Sequence, residues 1–172
     1  MNDAKVSLKI SPRLNYLFQQ LQPGSEVWDL ACDHGLVGMR AVLSGQFPAV
    51  TFVDKSVDAV NAMKEDFEVK LGFAEHKSKV NILTADMLNV ELPENNVSFV
   101  VAGVGAHLIC RFIRRVRPEE GTRLVLGPNK NPRDVEKALI DSGWNVLCQR
   151  VIIERGRERT VFTATGGREV GA

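Results

Sequence analysis

Seven residues, Asp29-Leu30-Ala31-Cys32-Asp33-His34-Gly35, place two carboxylates, a thiol and an imidazole in one short stretch. They follow the apolar pair Val27-Trp28 and precede an apolar-periodic run from Leu36 to Leu43, the pattern of a strand, a tight loop and a helix. A loop built for a pyrophosphate carries glycines at its three small positions, so that bare N–H groups approach the phosphates. Here those positions hold Ala31, Asp33 and Gly35. A carboxylate in the middle of the loop repels a pyrophosphate and attracts a cation. S-adenosylmethionine is nucleotide-like, carries a sulfonium and an ammonium, and has no phosphate, so it fits this loop better than NAD or ATP.

Further candidates stand at the ends of the next apolar runs. Asp29 closes the first run and is expected to hold an ammonium, directly or through water. Asp54 closes the second, followed by Lys55, and its carboxylate suits the two hydroxyls of a ribose. Asp86, in Ala85-Asp86-Met87, is placed to accept from an exocyclic amine. Gly103 and Gly105 follow the fourth run, where missing side chains leave room for a methionine arm and an incoming nucleophile. The expected cofactor set is thus Asp29, Ala31, Gly35, Asp54, Lys55, Asp86, Met87, Gly103 and Gly105. A single Asp after a strand is ordinarily a turn residue or helix cap, and Gly103-Val104-Gly105 is an ordinary turn. Their occurrence in order on successive strands is what turn chemistry does not explain. The cysteines (Cys32, Cys110, Cys148) and histidines (His34, His76, His107) show no metal-ligand spacing, so no metal is expected.

These residues need a scaffold that brings strand ends together. Ser11 and Pro12 open a first helix with Leu14, Leu17, Phe18 and Leu21 on one face, stopped by Pro23-Gly24. Strands are expected over Glu26 to Ala31, Ala49 to Val53, Val80 to Ala85, Ser98 to Ala102 and Arg123 to Leu126. Helices are expected to about Ser44, from a Ser56 cap to Leu71, after Ala106, and from Pro132 to Gly143. The tail reads as an antiparallel pair, Asn145 to Ile153 and Thr160 to Ala164, joined by a charged turn from Glu154 to Arg159. Alternation of strands and helices implies an α/β fold of the Rossmann-like class I methyltransferase kind: a mostly parallel seven-stranded sheet with a C-terminal antiparallel hairpin. One domain is expected over residues 1–165, with residues 166–172 a disordered tail.

The 172 residues carry 22 Lys plus Arg against 21 Asp plus Glu, so net charge argues for no particular partner. A hydrophobic fraction of 44% and a charged fraction of 25% suit a soluble globular domain. No stretch is apolar enough to span a bilayer, and the first residues lack a signal-peptide core, so a cytoplasmic protein with reduced thiols and no membrane partner is expected. Oligomeric state is not legible. The basic residues nevertheless cluster: Arg111, Arg114, Arg115 and Arg117 in or just after one helix, Arg150, Arg155, Arg157 and Arg159 at the final hairpin, with Lys5, Lys9 and Arg13 near the start. Such clusters neutralise phosphates, or else are merely solvated faces.

With these residues in place, the chain resembles the bacterial tRNA (adenine-22) N1-methyltransferase family, the TrmK type, over about residues 9 to 165. The resemblance lies in Ser11-Pro12-Arg13-Leu14, in the Asp29 to Gly35 loop (similar to a family D-I-G-S-D-H-A pattern), and in Ala102-Gly103-Val104-Gly105-Ala106-His107-Leu108-Ile109. It continues in Leu124-Val125-Leu126-Gly127-Pro128-Asn129 and Ser142-Gly143-Trp144. Ala31 and Ala106 stand where the family has glycine. Members usually continue into a helical, coiled-coil-like C-terminal domain that helps hold tRNA, whereas this sequence runs to Ala172.

The resemblance implies S-adenosylmethionine as cofactor, adenine N1 as target and tRNA or another RNA as partner. A methyltransferase for a small molecule or protein and a non-catalytic donor-binding module are the alternatives. Adenine N1 has a free lone pair and becomes cationic on methylation, so a nearby carboxylate helps. Asp33 is the first candidate, with helix capping as its alternative role. His34 is a second, contacting substrate or donor unless it is structural. Asn129 is a third, bonding a base edge unless it caps the next helix.

Overall fold

The computed structural model describes residues 8–167. Its elements in chain order are α1 (Pro12–Gln19), β1 (Glu26–Leu30), α2 (Leu36–Ser44), β2 (Val50–Asp54), α3 (Val57–Leu71), the short α4 (Phe73–His76), β3 (Val80–Thr84), β4 (Val97–Ala102), α5 (Ala106–Arg115), β5 (Thr122–Gly127), α6 (Pro132–Asp141), β6 (Asn145–Glu154) and β7 (Arg157–Thr165). The seven strands form one sheet in the order β3-β2-β1-β4-β5-β7-β6. The first five are parallel, and β7 lies antiparallel to both β5 and β6.

Helices cover both faces, which is why the central strands are buried along nearly their whole length rather than at alternate positions. Phe99 and Val101 of β4 and Leu124 and Leu126 of β5 face a core with Ile109, Phe112 and Ile113 of α5 and Leu139 of α6. Their neighbours Val100 and Val125 point the other way, onto Leu17 of α1, Met39 of α2 and Met63 and Phe67 of α3. Gly38 has a packing role: a Cβ there would lie 2.3 Å from the Phe52 ring, so glycine lets α2 press onto β2.

Local signals account for several boundaries. The Ser11 hydroxyl accepts the Leu14 N–H at 3.2 Å and Ser56 accepts that of Ala59 at 3.2 Å, capping α1 and α3. The short α4 was not legible in the sequence pattern. The expected six-residue turn from Glu154 to Arg159 is in fact two residues. Arg155 (φ 50°) and Gly156 (φ 73°) both sit in the left-handed region, the geometry of a tight hairpin turn, and Glu158 and Arg159 belong to β7. The chain stays hydrogen-bonded beyond residue 165, the Gly166 N–H donating to Thr122 O at 2.9 Å and that of Gly167 to Pro118 O at 3.0 Å. The remainder of the expected tail, 168–172, and Lys5 of the basic N-terminus lie outside the described residues. Among the described residues no helix is long and apolar enough to cross a membrane, and no group of three or more His, Cys, Asp or Glu is arranged to hold a metal ion.

Candidate active site

Strand order reverses on either side of β1 and β4, so the loops leaving β1 and β4 diverge and open a crevice at their carboxyl ends. A cavity of about 680 Å³ occupies that crevice, within the usual range for a small-molecule site. Of the residues expected from the sequence, Asp29, Ala31, Asp33, His34, Asp54, Lys55, Asp86, Met87 and Gly103 line it. Gly35, Gly105 and Asn129 do not.

Asp29 is the most perturbed of these carboxylates. It is the penultimate residue of β1, at 5% exposure, and its Oδ2 accepts the Gly38 N–H at 2.9 Å. That N–H is one of the donors the first turn of α2 leaves without a helical partner. Burial pushes the Asp29 pKa up to about 7, the Gly38 hydrogen bond opposes the rise, and the nearby Asp54 charge adds to it. A cation reaching this carboxylate would restore its ionised form.

The loop after β1 turns on three left-handed residues, Ala31 (φ 51°), Asp33 (φ 48°) and Gly35 (φ 66°). Ala31 therefore sits where a Cβ costs about 1 kcal/mol. The loop is tied to β2: the Cys32 N–H donates to Val53 O at 3.2 Å and the Asp33 N–H to Asp54 Oδ2 at 3.1 Å. Asp33 does not cap α2, whose N-cap is Gly35 with no side-chain hydrogen bond. Its carboxylate is instead 75% exposed, 3.7 Å from His34 Nε2. Gly35 lies beneath the loop, where a Cβ would meet Met63 Sδ at 2.8 Å, and its role is packing. Burial and the Asp29 and Asp54 charges push the Cys32 thiol far up, so it stays protonated and is no nucleophile.

Asp54 and Asp86 do double duty. Asp54 Oδ1 accepts the Ser56 N–H at 2.9 Å while Oδ2 holds Asp33, leaving one lone pair per oxygen for a ligand. Asp86 Oδ1 accepts the Leu88 N–H at 2.9 Å, shaping the turn that carries Met87 into the cavity wall. Arg115 holds that turn from below, donating to Met87 O at 2.8 Å and to Val90 O. Arg115 is thus committed to the protein, whereas Arg111 of the same helix is exposed and lines the cavity. Gly103 (φ 76°) has nothing within 4 Å of a built Cβ, so the floor there is open. Asn129 stands beside this floor, exposed: its Nδ2 donates to Gly103 O at 2.8 Å. It does not cap α6, whose N-cap is Asn131.

Arg13 closes the β4–β5 side. Its Nε donates to Glu154 Oε2 at 2.9 Å, and its buried Nη1 has no hydrogen-bond partner. A Cβ at Gly127 would lie 3.6 Å from Nη1 and 3.2 Å from the Ala102 Cβ, so glycine leaves space for the guanidinium. Burial opposes ionisation of Glu154, but hydrogen bonding from Ser11 and the Arg13 charge outweigh it and lower the pKa. From β3 across to β5 the cavity therefore offers acceptors (Asp86, Asp54), a cation-seeking carboxylate (Asp29), open floor (Gly103) and a guanidinium (Arg13).

Comparison with known proteins agrees with this architecture. Residues 10–162 match the family model described as a methyltransferase domain. The fold is similar to that of the B. subtilis M1A22 tRNA methyltransferase TrmK, with TM-score 0.82 and 20% identity over 94% of this chain and 68% of that one. A putative tRNA (m1A22) methyltransferase of Streptococcus pneumoniae, solved with S-adenosyl-L-methionine, gives TM-score 0.79 and 21% identity over 95% of this chain and 76% of that one. M. capricolum TrmK, solved with S-adenosyl-homocysteine, gives 0.78 and 12% over 92% and 70%. No curated protein sequence matches. With its seven-stranded sheet, the crevice at the strand ends and a family match spanning nearly all its described residues, the chain belongs to the methyltransferase domain family.

Proposed function

We propose that this chain is an S-adenosylmethionine-dependent methyltransferase that methylates N1 of adenine in tRNA. The observation that carries the cofactor reading is the order of groups along the strand ends, which parallels the order of groups along the donor. Asp86 and the turn held by Arg115 take the adenine. Asp54, with one free lone pair per carboxylate oxygen, takes the ribose hydroxyls. Asp29, buried and short of a positive partner, takes the ammonium. The open floor at Gly103 passes the methionine arm, and the guanidinium of Arg13 is the cation for its carboxylate.

When bound, the donor supplies an electrophilic methyl group on a sulfonium and leaves as a thioether. The residues of the chain have to align the adenine N1 lone pair with the carbon–sulfur bond and keep water out of that line. No base is needed, because N1 carries no proton to remove. The positive charge passes from sulfur to the ring, and the exposed carboxylate of Asp33 is placed on the loop over the crevice to stabilise it. His34 stands beside Asp33 as a base contact, and Asn129 fixes the Gly103 carbonyl, positioning the floor.

The RNA reading rests on the likeness of this fold to the tRNA methyltransferases described above and on exposed Arg111 at the cavity wall. Calorimetric titration tests the cofactor reading: S-adenosylmethionine is expected to bind, while NAD and ATP do not. Binding of NAD tighter than S-adenosylmethionine overturns it.

A further inference from the structure

The strand β6 ends the sheet opposite β3, and its other edge meets no strand among the described residues. It is ten residues long, contains no proline or lysine, and departs from regular pairing only between Val146 and Cys148. An edge of this kind presents a row of main-chain donors and acceptors to any second strand. Its side chains add an apolar surface. Leu147, Val151 and Ile153 are 46%, 51% and 62% exposed, three large apolar side chains on one strand.

The two faces of β6 differ. Arg150, Ile152 and Glu154 share the face of Val161, toward α1: Arg150 stacks on the Tyr16 ring at 4.8 Å and Glu154 bridges to Arg13. Val151 and Ile153 share the opposite face with Thr160 and Glu158. We propose that two copies of this chain pair antiparallel through β6, about a two-fold axis at Ile152, joining two sheets into one. In that register Ile152 meets its own copy and Val151 meets Ile153 of the second copy. Arg150 meets Glu154 of the second copy on the other face. The Val151–Ile153 and Arg150–Glu154 pairs each occur twice and the Ile152 pair once, so every apolar side chain of the segment gains an apolar partner, Arg150 gains a carboxylate and Glu154 a second cation beside Arg13.

Other self-complementary registers lose this match. An axis at Val151 sets Arg150 against Ile152 and Glu154 against Cys148, and an axis at Ile153 sets Val151 against Arg155. The charges at 150 and 154 therefore select one register, besides guarding the edge from indiscriminate pairing. The axis lies on the edge strand of the sheet, and the segment reaches the crevice only through Glu154, whose partner Arg13 lines it.

Sedimentation velocity over a concentration series tests the pairing. The unmodified chain is expected to show a reversible monomer–dimer equilibrium. Val151→Lys and Ile153→Glu, each at a position more than half exposed, are expected to weaken dimerisation about tenfold or more, because each acts twice in the dimer. The double variant V151K/I153E is expected to regain the dimer, since the two new charges then face each other across the axis, with far-UV circular dichroism confirming the fold of all three. A chain that stays monomeric throughout the series, assembly beyond a dimer, single variants that dimerise as before, or a folded double variant that stays monomeric overturns the proposal.

Discussion

Asp29→Asn is expected to stabilise the ligand-free protein while damaging its cofactor site. In the folded chain burial pushes the Asp29 pKa to about 7, against 3.8 for an ordinary aspartate. Between these values the folded state holds a proton that the unfolded state has released. Stability therefore falls as pH rises through this window, and the contribution of this one group is fully lost only above the folded value. A rise of about three units corresponds to ~4 kcal/mol of strain at alkaline pH. Asparagine carries no charge to bury, and its oxygen still accepts the Gly38 N–H. The advantage of Asp29→Asn over the unmodified chain should thus widen by ~2–3 kcal/mol between pH 5 and pH 8. At pH 8 that amounts to roughly 10 °C in Tm for a domain of this size. Urea unfolding of both proteins at the two pH values, without ligand, reads the difference. A gap that is the same at pH 5 and pH 8 would refute the reasoning, because Asp29 would then titrate normally.

Three further substitutions probe separate parts of the site. Asp54→Ala should weaken S-adenosylmethionine by ~1–3 kcal/mol through lost hydrogen bonds to a charged acceptor; calorimetry on a folded variant with unchanged affinity would place the ribose elsewhere. Asp33→Asn keeps the loop's shape and removes its charge. Turnover should fall roughly tenfold to a thousandfold with little change in RNA affinity, whereas weaker donor binding with turnover recovered at saturation would make Asp33 a donor ligand. Paired replacement of Arg111 and Arg114 by Ala should reduce the salt dependence of RNA binding by about two phosphate contacts, and an unchanged slope measured by fluorescence anisotropy would leave that helix out of the RNA interface.

Much of the scaffold was legible because β1, β2, β4 and β5 are largely apolar runs, each followed by a helical period; β3, at the sheet edge, carries the exposed Asn81 and leads through a loop straight into β4. The strand-end residues could be read for the same reason, since a parallel sheet delivers them to one edge. What escaped depended on contacts between distant parts of the chain. Arg115 looks like one more solvated charge on α5, yet its guanidinium is spent on the carbonyls of Met87 and Val90. Arg13 reads as part of a basic terminus until β6 brings Glu154 to it. Gly38 sits unremarked within an apolar helix, although its missing side chain and its N–H settle how α2 meets Phe52 and Asp29. The hairpin turn was shorter than expected because every residue from Glu154 to Arg159 except Gly156 is charged; on an edge hairpin, charged side chains remain in solvent while the backbone pairs.

Incubation of unmodified bacterial tRNA with the protein and S-adenosylmethionine carrying a deuterated methyl group, followed by nucleoside mass spectrometry, tests target and cofactor together. Label in 1-methyladenosine, formed more slowly at saturating donor by Asp33→Asn in proportion to its reduced turnover, is the expected result. Label in a different nucleoside, or none in RNA although the donor binds, would contradict the assignment of adenine N1 in tRNA.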